Sequence, residues 1–240
     1  MPPLPRVLLF SRTAGFRHDS IPAGTEALRQ LADAEGLLLT ATEDPDDLAD
    51  GNLSDCRAVV FLSTTGAVLT DDARKALESF HSSGGGFLGI HSAAGTEYDW
   101  PYYGTLLGAR FRSHPEAQPS VVTVQDRDHP ATAHLPAQWA WDDEWYDFRS
   151  NPRDAGVRVL ASVDESRYRG GLMGVDHPLV WCQEPPEAGR SFYTSLGHHA
   201  AAYADPDFRA HLAGALRWVC EPAATAGPAA AARSATPAGR

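Results

Sequence analysis

The chain has 240 residues, 43% of them hydrophobic, with a formal net charge of -11 and a sequence pI near 5.3. That length can bury a substantial core in one generous domain, and the acidic balance excludes nucleic-acid backbone binding as the main task. No apolar run nears the roughly 18 residues that cross a bilayer, and the proline-led start MPPLPRVLLFSR is too short a stretch for a signal peptide. A cytoplasmic protein with no membrane partner is therefore expected. Cys56, Cys182 and Cys220 show no C-x-x-C spacing, so they read as buried, reduced thiols and not as a disulfide framework.

In chain order, RVLLFS (6–11), GLLLTAT (36–42), RAVVFLS (57–63) and GGFLGI (85–90) are short continuous apolar runs bounded by turn residues. Such runs suit strands covered on both faces, and the helical patterns between them argue for a parallel sheet. One helix starts with Ser20 as cap and Pro22 in the first turn, sets Leu28 and Leu31 on one face, and stops at Gly36. Thr70, followed by Asp71 and Asp72, opens a second that runs through Ala76, Leu77 and Phe80. After Gly95 the texture changes. SVVTVQD, WAWDDEWYDF, VRVLASV, HPLVWCQE and RSFYTSLG read as strands with no comparable helices between them, and PDFRAHLAGALRWV (206–219) restores an amphipathic helix. The expected fold is α/β, a flavodoxin-like, mostly parallel sheet with helices on both faces and a strand-rich second half. It forms one domain over residues 1–220, and the Ala/Pro-rich residues 221–240 read as a disordered tail.

In an open parallel sheet, ligands bind beyond the carboxyl ends of the strands, so the residues following each apolar run are the site candidates. The first run is followed by His18 and Asp19, the third by the hydroxyl-rich turn at Thr64, the fourth by His91 and Ser92, and the last by His198 and His199. Imidazoles at several strand ends can ligate a metal or move protons near neutral pH. Of the adjacent pair 198 and 199, only one is expected to face the site. FRSHP adds Arg112 and His114 as groups able to clasp a substrate oxygen. His129 and His177 each precede a proline and read as structural. In WDDEWYDF, a regular strand would put Asp142, Glu144 and Tyr146 on one face and Asp143 with Trp145 on the other. An acid between aromatic planes is a common sugar grip; a solvated strand edge is the ordinary alternative. No P-loop or H-E-x-x-H motif is present, and GGGFLG ends a helix and begins a strand, the reverse of a dinucleotide fingerprint, so no nucleotide cofactor is expected.

The ordered segments FSRTAGFRHDSIPAG, VVFLSTTG, GGGFLGIHSAAGTEYDWPYYGTLLGARFRSHP, DEWYDF and SFYTSLGHH resemble the ThuA-like family, named for trehalose utilisation, over about residues 5–219. The resemblance implies a class I glutamine amidotransferase-like fold with a nucleophile elbow. Laying that family's G-x-C-x-G elbow on GIHSA puts His91 where the cysteine would be. His198 falls in the region of the catalytic histidine but lacks the following H-x-E spacing. Thiolate-based glutamine hydrolysis is thereby excluded, and Ser92 sits one place past the tip.

The family association implies a small sugar substrate and a functional link to a sugar oxidoreductase. The expected activity is a hydrolase or lyase acting on a glycoside or 3-keto-glycoside, with His91, His198 and Glu144 catalytic. Arg112, His114, Tyr146, Thr64, Ser92 and Asp19 would contact substrate. A divalent metal, zinc before others, would be held by His18, His91 and His198, with Glu144 within the same set. A homo-oligomer is compatible with this reading. The competing reading is a non-catalytic carbohydrate-binding or regulatory module on an amidotransferase-like scaffold, since fold alone separates neither.

Overall fold

The computed structural model describes residues 4–49 and 51–221. The tail expected over 221–240 lies outside them but for its first residue. The first four apolar runs form β1 (Arg6–Phe10), β2 (Leu38–Thr42), β3 (Cys56–Leu62) and β4 (Gly86–Ile90). Between them lie α1 (Ile21–Ala34) and α2 (Asp71–Ser82). The second half supplies α3 (Pro101–Leu107), β5 (Phe111–Ser113), β6 (Gln118–Val124), β7 (Gln138–Asp143) and β8 (Asp147–Phe148). It ends with β9 (Arg158–Val163), β10 (His177–Gln183), β11 (Ser191–Thr194) and α4 (Pro206–Cys220).

Nine strands make one sheet in the order β2-β1-β3-β4-β11-β10-β9-β6-β7, while β5 and β8 pair separately. From β2 to β11 neighbouring strands are parallel, and from β11 to β7 they are antiparallel. The texture change after Gly95 thus marks the passage from crossover connections, which parallel strands require, to hairpins. The near-continuous apolar runs have a direct cause. Along β1, Val7 and Leu9 pack with Leu28 of α1 and Leu216 of α4, whereas Leu8 and Phe10 pack with Leu77 of α2 and Leu107 of α3. Both faces of the parallel half are covered.

Two local expectations are met differently. Thr70 caps α2 by accepting from the Ala73 amide, but Ser20 already has helical backbone angles and its side chain makes no cap bond to α1. The cysteines are free, with Cys182 buried and Cys56 and Cys220 half-buried. Gly86 is required by a close approach, because a Cβ there would collide with the Val219 carbonyl of α4. No helix among the described residues is long and apolar enough to cross a membrane.

Candidate metal centre

The carboxyl ends of β1, β3, β4 and β11 open on one rim, and the residues that follow them meet there. His91 follows β4 with φ of 53°, a left-handed backbone that is uncommon for residues other than glycine. This is the elbow: the chain leaves the sheet, turns sharply through a 3-10 segment over His91–Gly95, and projects the side chain at the tip. The Tyr193 hydroxyl donates to the His91 carbonyl at 2.8 Å and fixes the turn from β11.

His91 is fully buried, and its Nδ1 lies 2.7 Å from the Ser195 carbonyl oxygen. A carbonyl only accepts, so Nδ1 carries the proton and Nε2 presents a lone pair. That lone pair faces His18 Nε2 at 3.1 Å, the Tyr146 hydroxyl at 2.9 Å and Glu144 Oε2 at 3.4 Å. One sp2 lone pair cannot satisfy three partners. His198 Nδ1 approaches Glu144 Oε2 to 3.2 Å, yet neither atom has an aligned hydrogen-bond partner although both are buried. His18 is turned into the group by Ser92, whose hydroxyl is 3.3 Å from His18 Nδ1.

Electrostatics agree with the crowding. Burial, followed by the neighbouring His91, pushes His18 down to about 3 and keeps that ring neutral. Burial works to raise Glu144, but His198, whose Nδ1 approaches Oε2, holds it well below the usual carboxylate range. The Glu144 carboxylate in turn raises His198 above its ordinary value against the effect of burial.

The ligand atoms of His18, His91, Glu144 and His198 all lie within 4.8 Å of one another. A tetrahedral ion bound at roughly 2.1 Å sets its ligands about 3.4 Å apart, which matches the separations of 3.1, 3.2 and 3.4 Å in this group. Three imidazoles, one carboxylate and two buried orphan atoms therefore fit a divalent cation. The hydrogen bond from His91 Nδ1 to a main-chain carbonyl is the outer support that metal-bound imidazoles need.

The other candidates are placed as follows. His114 flanks the group, with Nδ1 3.6 Å from Glu144 Oε1 and its ring stacked on Tyr146 at 5.5 Å. Thr64 is buried and bonded to Thr96, and Asp19 and Arg112 are exposed. His199 turns away to Asp142, 3.6 Å distant, so of the pair 198 and 199 only the first enters the cluster.

The regular-strand reading of WDDEWYDF is corrected. β7 ends at Asp143, and Glu144 and Tyr146 reach the cluster from the bend that follows, while Asp142 stays exposed. Trp145 and Tyr146 are packed into the interior, so they form no open aromatic grip. Sequence reasoning also missed Asp143. Its buried carboxylate accepts from the amides of Glu144, Gly197 and His198 and from the Trp141 indole, joining the two segments that carry Glu144 and His198.

A second group, Asp147, Glu165 and His177, has similar composition and is closed differently. His177 Nε2 donates to the Tyr146 carbonyl at 2.9 Å, Glu165 accepts the Met173 amide at 2.7 Å, and Asp147 accepts the Leu172 amide at 2.7 Å. It braces Tyr146 from behind and presents no orphan atom. At the opposite end of the sheet a cavity of about 580 Å³, lined by Leu53, Cys56, Phe80, Gly85 and Cys220, carries none of the clustered imidazoles.

The family model described as trehalose utilisation, ThuA, matches residues 6–219. The chain belongs to the ThuA family. It is similar to a ThuA-like protein from Bacteroides uniformis, 26% identical with a TM-score of 0.75 over 89% of this chain and 90% of the other. A ThuA-like protein from Parabacteroides merdae is 20% identical with a TM-score of 0.75, covering 91% and 90%. PurLQS from Thermotoga maritima, 12% identical with a TM-score of 0.52 over 90% of this chain and 99% of the other, shares the fold alone. The fold of this chain is thus amidotransferase-like, and the residue at its elbow is the imidazole-bearing His91. No curated protein matches the chain.

Proposed function

We propose that this ThuA-family protein is a metal-assisted hydrolase or lyase acting on a glycoside or 3-keto-glycoside. The observation that carries the proposal is the set of donor atoms on His18, His91, Glu144 and His198, all within 4.8 Å of one another, with more lone pairs than protons to share. A bound divalent ion, zinc first, would supply Lewis-acid polarisation of a substrate oxygen.

The chain's own groups then divide the remaining work. His114 Nδ1 donates to the Pro115 carbonyl at 2.8 Å, which leaves Nε2 as an acceptor on a side chain 35% exposed at the rim. In this reading that atom takes the acidic C2 proton of a 3-keto sugar, while the C1–O glycosidic bond breaks with its electron pair leaving on oxygen, which then takes a proton from water. The Tyr146 hydroxyl, held neutral because burial and then Glu144 raise it well above its ordinary value, remains a donor to an oxygen that develops charge. Asp143 keeps Glu144 and His198 in register, and Ser195 keeps His91 in one tautomer.

The test is to measure zinc content after metal-free purification and reloading, then to follow release of free sugar from 3-keto-trehalose and trehalose with and without chelator. Stoichiometric zinc and chelator-sensitive turnover are expected. Absence of turnover on every keto-glycoside and glycoside, in protein shown to hold zinc, removes the enzymatic reading and leaves a binding module.

A further inference from the structure

Of nine phenylalanines, six tryptophans and seven tyrosines, all within the described residues, Phe16 alone is exposed. It is 69% accessible and lies at the rim of the candidate metal centre, its ring perpendicular to that of His18 with centroids 4.8 Å apart. The segment that carries it is not loose. The Thr65 hydroxyl donates to the Phe16 carbonyl at 2.9 Å and accepts from the Gly15 amide at 3.2 Å, and the Ala14 amide donates to the Thr65 carbonyl at 2.8 Å. A fold that buries or half-buries every other phenylalanine, tryptophan and tyrosine fastens this one in place, exposed, beside a buried polar cluster.

We infer that Phe16 is a binding platform for a pyranose ring, taking the ring's C–H face while its hydroxyl or keto oxygens reach the cluster of His18, His91, Glu144 and His198. The inference rests on the sugar-active reading above and assigns its substrate contact to a residue that reading does not use. The chemistry is complementary. A pyranose has an apolar face that an aromatic ring covers well, and an edge of oxygens suited to a cation and to imidazoles. An anchored ring loses little freedom on binding, so its contact is retained as affinity. The expected grip of an acid between aromatic planes is thus relocated. Trp145 and Tyr146 are interior, and the open aromatic surface comes from the loop after β1.

The experiment titrates wild type, Phe16→Ala and Phe16→Tyr with trehalose and methyl α-D-glucopyranoside by calorimetry, with and without zinc. Sorbitol serves as an open-chain control that has hydroxyls and no ring face. The expected result is an affinity for both pyranosides about two- to tenfold weaker in the alanine variant and near wild type in the tyrosine variant, with zinc content unchanged throughout. The platform is overturned if the alanine variant binds as wild type does, if sorbitol binds as well as the cyclic sugars, or if wild type binds neither pyranoside. Failure of wild type to take up zinc refutes the metal centre instead, and the titrations without zinc still decide the role of Phe16.

Discussion

Asp143→Asn probes how the two halves of the cluster are held together. The Asp143 carboxylate is fully buried and accepts four hydrogen bonds: Oδ1 from the amides of Glu144 at 2.9 Å and His198 at 3.2 Å, Oδ2 from the Gly197 amide at 2.8 Å and the Trp141 indole at 2.9 Å. Asparagine keeps the shape but turns one oxygen into an NH2 group, which must face two N–H donors whichever way the amide is flipped. Two bonds to a charged acceptor are lost at about 1.5–3 kcal/mol each, so stability should fall by about 3–6 kcal/mol. Typical domains have about 5–15 kcal/mol in total, and the variant should still fold with a much lower urea midpoint. Denaturation is best measured with chelator present, since a bound ion would mask the loss by mass action. A separate zinc titration should show affinity lower by about 10–100-fold, the usual effect of disturbing the support behind a ligand. A stability change under about 1 kcal/mol together with unchanged zinc affinity would refute the argument that Asp143 joins the Glu144 and His198 segments.

Burial pushes His81, His129 and His211 each down to about 4, so they stay neutral in the folded chain at a pH where the unfolded chain protonates them. Their contribution is complete above the unfolded value near 6.5 and is lost as pH falls toward 4, at about 1 kcal/mol per pH unit for each ring; flat denaturation midpoints between pH 7 and pH 5 would contradict this. Gly86→Ala drives a methyl group into the Val219 carbonyl and should cost at least about 1–3 kcal/mol, read from thermal unfolding. Tyr146→Phe removes the hydroxyl 2.9 Å from His91 Nε2 and leaves the buried ring in place. It should lower kcat on a keto-glycoside by about 10²–10³ with little change in Tm, and an unchanged kcat would exclude the hydroxyl from the reaction.

Much of the frame was legible because two-sided burial writes itself into a sequence as unbroken apolar runs. β1, β3 and β4 fall within a residue or so of the runs 6–11, 57–63 and 85–90, and the residues after β1 and β4 deliver His18 and His91. The strand-end rule works there because parallel strands all point to one rim. It could not find Asp143 or the true place of Glu144, since those depend on where β7 stops. The stop is stabilised by the Asp143 carboxylate receiving the next amide, a local bond that side-chain alternation does not reveal. His177 is structural as its sequence context suggests, but the bond it makes, to the Tyr146 carbonyl 31 positions away, is a long-range contact that no local pattern shows. Phe16 escaped because a lone aromatic in a loop carries no period.

The left-handed backbone at His91 has an evolutionary consequence. A β-carbon in that conformation stores on the order of 1–3 kcal/mol of strain, which glycine would release. Under the proposed function, screens for heat resistance and screens for turnover should therefore pull position 91 in opposite directions, and a lineage that no longer needs the imidazole would be expected to lose it there early.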